Sequence, residues 1–355
     1  MAVSTPCYCT REDVQRAPDF RDSQLTNAII DRALQSTARD IEGHLHRTFY
    51  PYDATFKWDW PNYQYAAPWK LWFDQWDLVS ATQVQSPQGT TISLGSVIFR
   101  PVNRRPGWPY TYMELDRSAS VAFAAGATPQ LSIWITGTWG FTADTDSAGT
   151  LAASVSSTSA ASITVSDGSL MGVGDLLIVD SERLLVQERA TATTGQTNVS
   201  GGTTASAADN AITVTDGTQV HAGEMLLIDS ERLLVTDVTG NVLTVKRAWD
   251  GTVLATHSTA TTLYAYRLLT VARGQLGTTA ATHSNAAPVS RHRVPSGIRD
   301  LAIAECINRV AQMSGGWQVE VGEGGSVHAA PGAGLADLWD EAVTTYGRKA
   351  RQRTI

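Results

Sequence analysis

Two His-Ser pairs, His257-Ser258 and His283-Ser284, come nearest to a nucleophilic pattern. A serine turned into a nucleophile needs a base within hydrogen-bond reach and a sharp turn that presents its hydroxyl. No GxSxG elbow accompanies either pair, and both sit in a duplicated GTxxATHS motif. A residue copied together with its whole unit reads as turn-forming structure. Cys7 and Cys9 form a CxC pair, with Cys306 far away in the chain. Such a pair can take a soft metal or a strained disulfide. With no second CxxC and no histidine at zinc-ligand spacing, the expected state is three reduced thiols. His44 and His46, two apart on a helix, face different ways. The glycines of Gly322–Gly334 lack the Lys-Ser/Thr of a P-loop and the strand-led GxGxxG spacing, so they read as a loop. No carboxylate spacing nominates an acid/base pair. The sequence thus predicts no catalytic residue, no cofactor and no metal: not an enzyme.

The elements that carry these residues fall into two kinds. The chain has 355 residues, 43% hydrophobic and 17% charged, which suits two folded domains. Its formal charge of −7 argues against a dedicated nucleic-acid binder. The N-terminus lacks a signal-peptide pattern and no apolar run approaches bilayer length, so a cytoplasmic product with no membrane partner is expected.

Leu131–Phe141 (LSIWITGTWGF) reads as a strand, after which the composition shifts to Ala, Ser, Thr, Gly and Asp until Val294. Residues 1–145 and 291–355 are therefore expected to form one discontinuous frame, with 146–290 as an inserted β domain. Excising the insertion should leave the frame able to assemble. In the frame, Thr10 and Asp13 predict a capped short helix ending before Pro18. A longer helix should start near Asp22 or Ser23, with Leu25, Ile29, Ile30, Ala33, Leu34, Ala38, Ile41 and Leu45 on one face. Phe49–Trp76 holds twelve of the 28 aromatic residues, and Trp58, Trp60, Trp69, Trp72 and Trp76 are expected in the core and at a subunit interface. Short strands follow at Thr82–Gln85, Ser96–Arg100, Tyr112–Asp116, Ser120–Phe123 and Leu131–Ile135, as a β-meander punctuated by turn-rich pieces such as VNRRPGWPY. A helix should run from Ser296 to about Met313. A last helix carries Leu335, Leu338, Trp339, Ala342, Val343 and Tyr346 as a narrow stripe, ending in basic Arg348, Lys349, Arg351 and Arg353. The predicted fold class is α+β: a helical frame with a small β-meander, interrupted by an all-β insertion.

The insertion contains a repeat. Ile163–Val186 matches Ile212–Val235 at 14 of 24 positions, and Val242–Ser258 matches Leu268–Ser284 at 10 of 17. The offsets, 49 and 26, give the order first half, first half, second half, second half. Either one unit (161–190 plus 267–290) encloses another (211–266), or two units exchange strands. Each first half holds a hairpin turning at Asp180–Glu182 or Asp229–Glu231. The runs Ser147–Ser162 and Thr191–Asp209 read as connectors.

The frame resembles the head-to-tail connector (neck adaptor) proteins of long-tailed bacteriophages. The resemblance is carried in order by TREDVQRA, by HLHRTFYP, by LWFDQWDLVSATQVQSPQGTTI and SVIFRPVNRRPGWPYTYMEL, and by ITGTWGF. In relatives that last strand runs almost straight into a helix, supplied here by Val294, Pro295, Ile298 and Ala302. The resemblance implies a virion protein of the neck, a homo-oligomeric and usually dodecameric ring under the portal. Its partners would be the portal protein, a tail-side neck or tail-terminator protein, and double-stranded DNA that passes without sequence-specific binding. Portal docking would fall to Leu335, Leu338, Trp339, Val343, Tyr346, Arg348, Lys349, Arg351 and Arg353. The alternative, suggested by the aromatic stretch and the β units, is a carbohydrate- or host-surface-binding decoration protein.

Overall fold

A computed structural model describes residues 3–17, 26–64, 66–199, 202–314 and 333–348. In chain order the frame contributes α1 (Arg11–Gln15), α2 (Asn27–Leu45), β1 (Tyr52–Trp58), β2 (Lys70–Trp72), β3 (Leu78–Gln85), β4 (Thr91–Ile92), β5 (Val97–Arg100), β6 (Tyr112–Leu115) and β7 (Ile133–Trp139). The insertion contributes β8 (Thr145–Thr150), β9 (Ser162–Thr164), β10 (Leu176–Val179), β11 (Glu182–Thr197), β12 (Ala211–Thr213) and β13 (Met225–Ile228). It continues with β14 (Glu231–Thr239), β15 (Val242–Lys246), β16 (Thr262–Ala272) and β17 (Pro288–His292), after which α3 (Ser296–Ser314) and α4 (Ala333–Tyr346) return to the frame.

The expected helical frame is not what the chain builds. The fold is mostly β, 34% strand against 20% helix, in three antiparallel sheets of which the largest has ten strands. Two misreadings account for the difference. The aromatic stretch hides β1, where Tyr52, Ala54, Phe56 and Trp58 alternate onto a core they share with Trp139. The Ser/Thr/Ala-rich "connectors" are largely ladder: β8 pairs with β17, and β11 continues to Thr197 against β16. Small β-branched threonines suit a strand held by its backbone bonds, with little side-chain burial. Ser120–Phe123, by contrast, is not a strand, although Phe123 is buried.

The frame's strands form two small sheets, β1-β7-β3-β4 and β2-β6-β5, around one apolar cluster. Along β7, Ile133, Ile135, Gly137 and Trp139 face inward without interruption. Gly137 is needed there, because a Cβ would lie 2.2 Å from the Ser80 carbonyl oxygen of β3. α1 begins with a capping box: the Thr10 hydroxyl accepts from the Asp13 N–H and the Asp13 carboxylate from the Thr10 N–H. α2 starts at Asn27, and the earlier start expected near Asp22 or Ser23 lies outside the described residues.

The core does not stop at the expected seam between frame and insertion. One cluster takes Val3, Tyr8, Val14, Leu34, Ile41 and Phe49 from the N-terminal part and Ile298, Leu301 and Val310 from α3. It also takes Val165, Val173, Leu177, Leu185 and Val289 from the insertion. The N-terminal segment sits between them. Cys7 and Arg11 donate their N–H groups to the Gly174 and Val173 carbonyls, and the buried Arg11 guanidinium bridges Asp31 of α2 (2.8 Å) and Glu188 of β11 (2.5 Å). Excising 146–290 would therefore uncover a shared apolar face.

Within the insertion the pairing is nested. β12–β15 form a complete unit, with β12 against β15 and the β13–β14 hairpin against β15 and β16. The enclosing unit makes equivalent contacts from both sides of the guest: β9 against the second half of β16, and the β10–β11 hairpin against β16 and β17. The junction is informative. Thr239 pairs with Val242 across the Gly240-Asn241 turn, and the equivalent pair in the outer unit is Ala190 with Leu268. The guest thus occupies the place of a two-residue turn. β11 and β16 continue past that point as its stalk, just as β8 and β17 are the stalk by which the outer unit joins the frame.

Candidate functional site

Two places concentrate polar side chains. The first is a pair of equivalent clusters built on the duplicated histidines. In each hairpin a two-residue Asp-Ser turn puts the next residue, Glu182 or Glu231, inside the unit. The Glu182 carboxylate accepts from Arg273 Nε (2.7 Å) and Nη2 (2.8 Å), from the Gly274 and Ala281 N–H groups (each 2.9 Å) and from His283 Nε2 (2.8 Å). Glu231 does the same with Arg247, Ala248, Ala255 and His257 at 2.8–3.0 Å. The second ring nitrogen of each histidine lies 2.8 Å from Asp180 or Asp229. Burial alone would raise these glutamates, but the arginine, the two N–H groups and the histidine outweigh it and bring both carboxyls down to about 2.

A carboxylate with every lone pair engaged, and fully buried, is not a base waiting for substrate. Both ring nitrogens of each histidine are engaged by carboxylates, which leaves none to act as base for the adjacent serine. These clusters are clasps that fasten the second half of each repeat onto its hairpin. They also settle the topology: Glu182 meets Arg273 and His283, and Glu231 meets Arg247 and His257. A third grouping, Asp167, His221 and Glu224, has the makings of a cation site between the units. Glu224, however, is already held by Arg267 (2.7 and 2.6 Å) and by the Gly168 and His221 N–H groups (each 2.9 Å), so it reads as a joint.

The second place is a cleft of about 1240 Å³ in the frame. Its walls are the end of α2 (His46, Arg47), the residues after β2 (Asp74, Gln75), the β5–β6 loop (Arg104, Arg105, Trp108) and the end of α4 (Thr344, Thr345, Arg348), with Trp72 alongside. His46 takes a left-handed conformation as the C-cap of α2, which turns Arg47 inward. Arg47 (side chain 9% exposed) and Arg348 share one buried carboxylate, Asp77, at 3.6 and 2.6 Å. Arg348 also donates to the His46 and Asp74 carbonyls. Burial lowers Arg47 and raises Asp77, each against the pull of its opposite charge. Arg104 lies over the Tyr110 ring (3.9 Å) and Arg105 over Trp108 (5.6 Å).

The residues nominated for docking are placed as follows. Leu335, Leu338, Trp339 and Tyr346 pack on the chain's own core; Trp339 lies 4.9 Å from the His44 ring, and Tyr346 meets Phe49, Phe141 and Trp108. Val343 is exposed, and Arg348 is turned into the cleft. Lys349, Arg351 and Arg353 lie outside the described residues, as does the glycine-rich stretch up to 332. Of the nominated tryptophans, Trp60 is buried against Phe123, Trp58 packs on Trp139 and Phe73, Trp76 stacks on Phe56 (4.2 Å) and Trp72 lies on Tyr112 (4.1 Å). Trp69 is the exposed one, with Arg117 over its ring. Arg47, Arg104 and Arg105 belong to no chemistry-bearing motif in the sequence, and the one local signal is the RRPGW run, which sets basic and aromatic groups together. Cys7, Cys9 and Cys306 are buried free thiols, and burial drives Cys7 upward.

No protein-family model, curated protein or solved structure matches the chain. Among the described residues no helix is long and apolar enough to cross a membrane.

Proposed function

We propose that the chain is a non-catalytic structural protein of the bacteriophage neck. It would be a connector that closes into a ring beneath the portal, joins head to tail and lets DNA pass. The observation that carries this reading is the way the insertion leaves and re-enters the frame. Thr145 pairs with His292, and the Arg293 N–H donates to the Asp144 carbonyl (2.8 Å), so the chain leaving the frame after β7 and the chain returning before α3 run side by side. Without the guest, the strand would run into the helix as it does in the connector family. The polar clusters of the insertion, being closed clasps, offer no competing enzymatic reading.

The test is co-expression with the portal protein of the same particle, followed by native mass measurement and electron microscopy. An annulus bound to the portal is expected, with twelve copies the family's usual number. A monomer that ignores the portal would end the proposal. Truncation after Arg348, which spares the packing of Tyr346, should weaken portal binding and leave the frame folded. A second reading, a glycan-binding decoration protein, draws on exposed Trp69 and Tyr63. Glycan-array binding lost on Trp69→Ala would favour it.

A further inference from the structure

The cleft at the end of α4 is lined by four arginines, Arg47, Arg104, Arg105 and Arg348, against one carboxylate, Asp74, with Asp77 in the adjoining cavity. Arg47 and Arg348 face a single carboxylate, Asp77, and all three side chains are largely buried, at 9%, 16% and 2% exposure. Arg47 Nε and Nη1 are buried without a hydrogen-bond partner, and the side chain lines both this cleft and the smaller cavity of about 260 Å³ behind it. Among the described residues Arg47 is held only by a long ion pair to a carboxylate it shares with Arg348 and by the face of the Phe141 ring, so a buried guanidinium with unmet donors gains by meeting an anion from outside. At the mouth, Arg104 and Arg105 make no ion pair among the described residues. Their guanidinium faces lie on Tyr110 and Trp108, and Arg104 Nη1 already donates to the Trp108 carbonyl, so the contact offered to an incoming carboxylate is the rest of the Arg104 fork and the edge of Arg105.

We infer that this cleft is a receptor for an acidic segment of a partner polypeptide, with carboxylates on Arg47 and on the Arg104–Arg105 pair and an apolar side chain between Trp72 and Trp108. Three observations select that ligand class. The volume, about 1240 Å³, exceeds the roughly 300–1,000 Å³ of ordinary small-molecule sites and suits several side chains. A nucleic-acid backbone is tracked by a stripe of cations, whereas these arginines line a single cleft in a chain with 34 acidic and 27 basic residues. The chain's own continuation past Arg348 carries Lys349, Arg351 and Arg353, the wrong sign to fill the site itself. This inference does not rest on the ring or on the portal.

The experiment is fluorescence anisotropy of the full chain with a labelled synthetic peptide of Glu and Asp around a central Trp. A single-stranded oligonucleotide of equal length and inorganic phosphate serve as competitors. Saturable peptide binding is expected, weakened at least about tenfold by Arg104→Glu with Arg105→Glu, and by about 0.5 M salt. Both substitutions fall in a surface loop, so circular dichroism should be unchanged. Arg47→Met separates a receptor from a scaffold: if Arg47 is the surplus cation, the variant loses the peptide yet melts no lower than the parent. A fall in melting temperature of several degrees would make Arg47 a structural partner of Asp77 and overturn the assignment. So would absence of peptide binding up to about 1 mM, equal or tighter binding of the oligonucleotide or phosphate, or indifference to the double reversal.

Discussion

Replacing Glu231 by alanine should open the inner β unit and leave the outer one closed. The substitution strands the Arg247 guanidinium, whose side chain is 1% exposed, and takes from the buried His257 ring the partner of its Nε2. It also frees the Ala248 and Ala255 N–H groups from their acceptor. Breaking a buried pair from one side costs about 3–5 kcal/mol. For a locally opening unit, about 3 kcal/mol corresponds to a rise of roughly a hundredfold in amide exchange. Hydrogen-exchange mass spectrometry should show that rise in peptides from 211–258, with peptides from 162–190 changed by less than about threefold, because the outer clasp uses Glu182, Arg273 and His283. A uniform rise across both units would refute the idea of separate clasps, and no rise would refute their energetic weight. Acid offers an independent check. Both glutamates are held at about 2, below their usual 4.5, so the folded state binds fewer protons than the unfolded one between those values. Their contribution is complete above about pH 4.5 and disappears as pH falls through 2. It amounts to about 3 kcal/mol per clasp before solvent screening, and about half that after it. Urea midpoints of parent and Glu231→Ala should converge over that range.

Further outcomes follow from other places in the fold. Gly137→Ala drives a Cβ into the Ser80 carbonyl and should cost about 3 kcal/mol, seen as a lower urea midpoint with unchanged m-value. His292 is buried with its Nε2 on the Phe49 carbonyl, and burial lowers it to about 4. The unfolded chain therefore binds the extra proton first, and stability should decline as pH falls from about 6.5 to 4; the same titration in His292→Gln should lack that component. Excision of 145–292 should give a frame that binds a hydrophobic dye or aggregates, because the face shared with Val165, Leu177 and Val289 is uncovered. Substituting polar residues at the uncovered positions should restore solubility.

Much of this was readable from residue order. The α1 capping box, α3 and the duplicated halves carry strong local signals, and the repeat order limited the insertion to nesting or exchange. The strand content was harder to see. In β1 the polar partners of the alternation are Asp53, Thr55 and Lys57, but aromatics on either side drown the period-two signal. In the stalks, Ser and Thr composition imitates a loop, while the ladder that forms them depends on partners far off in sequence. Distance also hides the cleft: Arg47 and Arg348 stand at opposite ends of the chain and meet only over Asp77.

Since the guest stands where a two-residue turn would otherwise be, Gly240-Asn241 in the guest is itself a vacant socket of the same kind. A further copy spliced there would find its entry and exit already side by side. The chain can therefore lengthen outward like a telescope, each segment seated in the tip of the last, without any change at the base where the frame does its work.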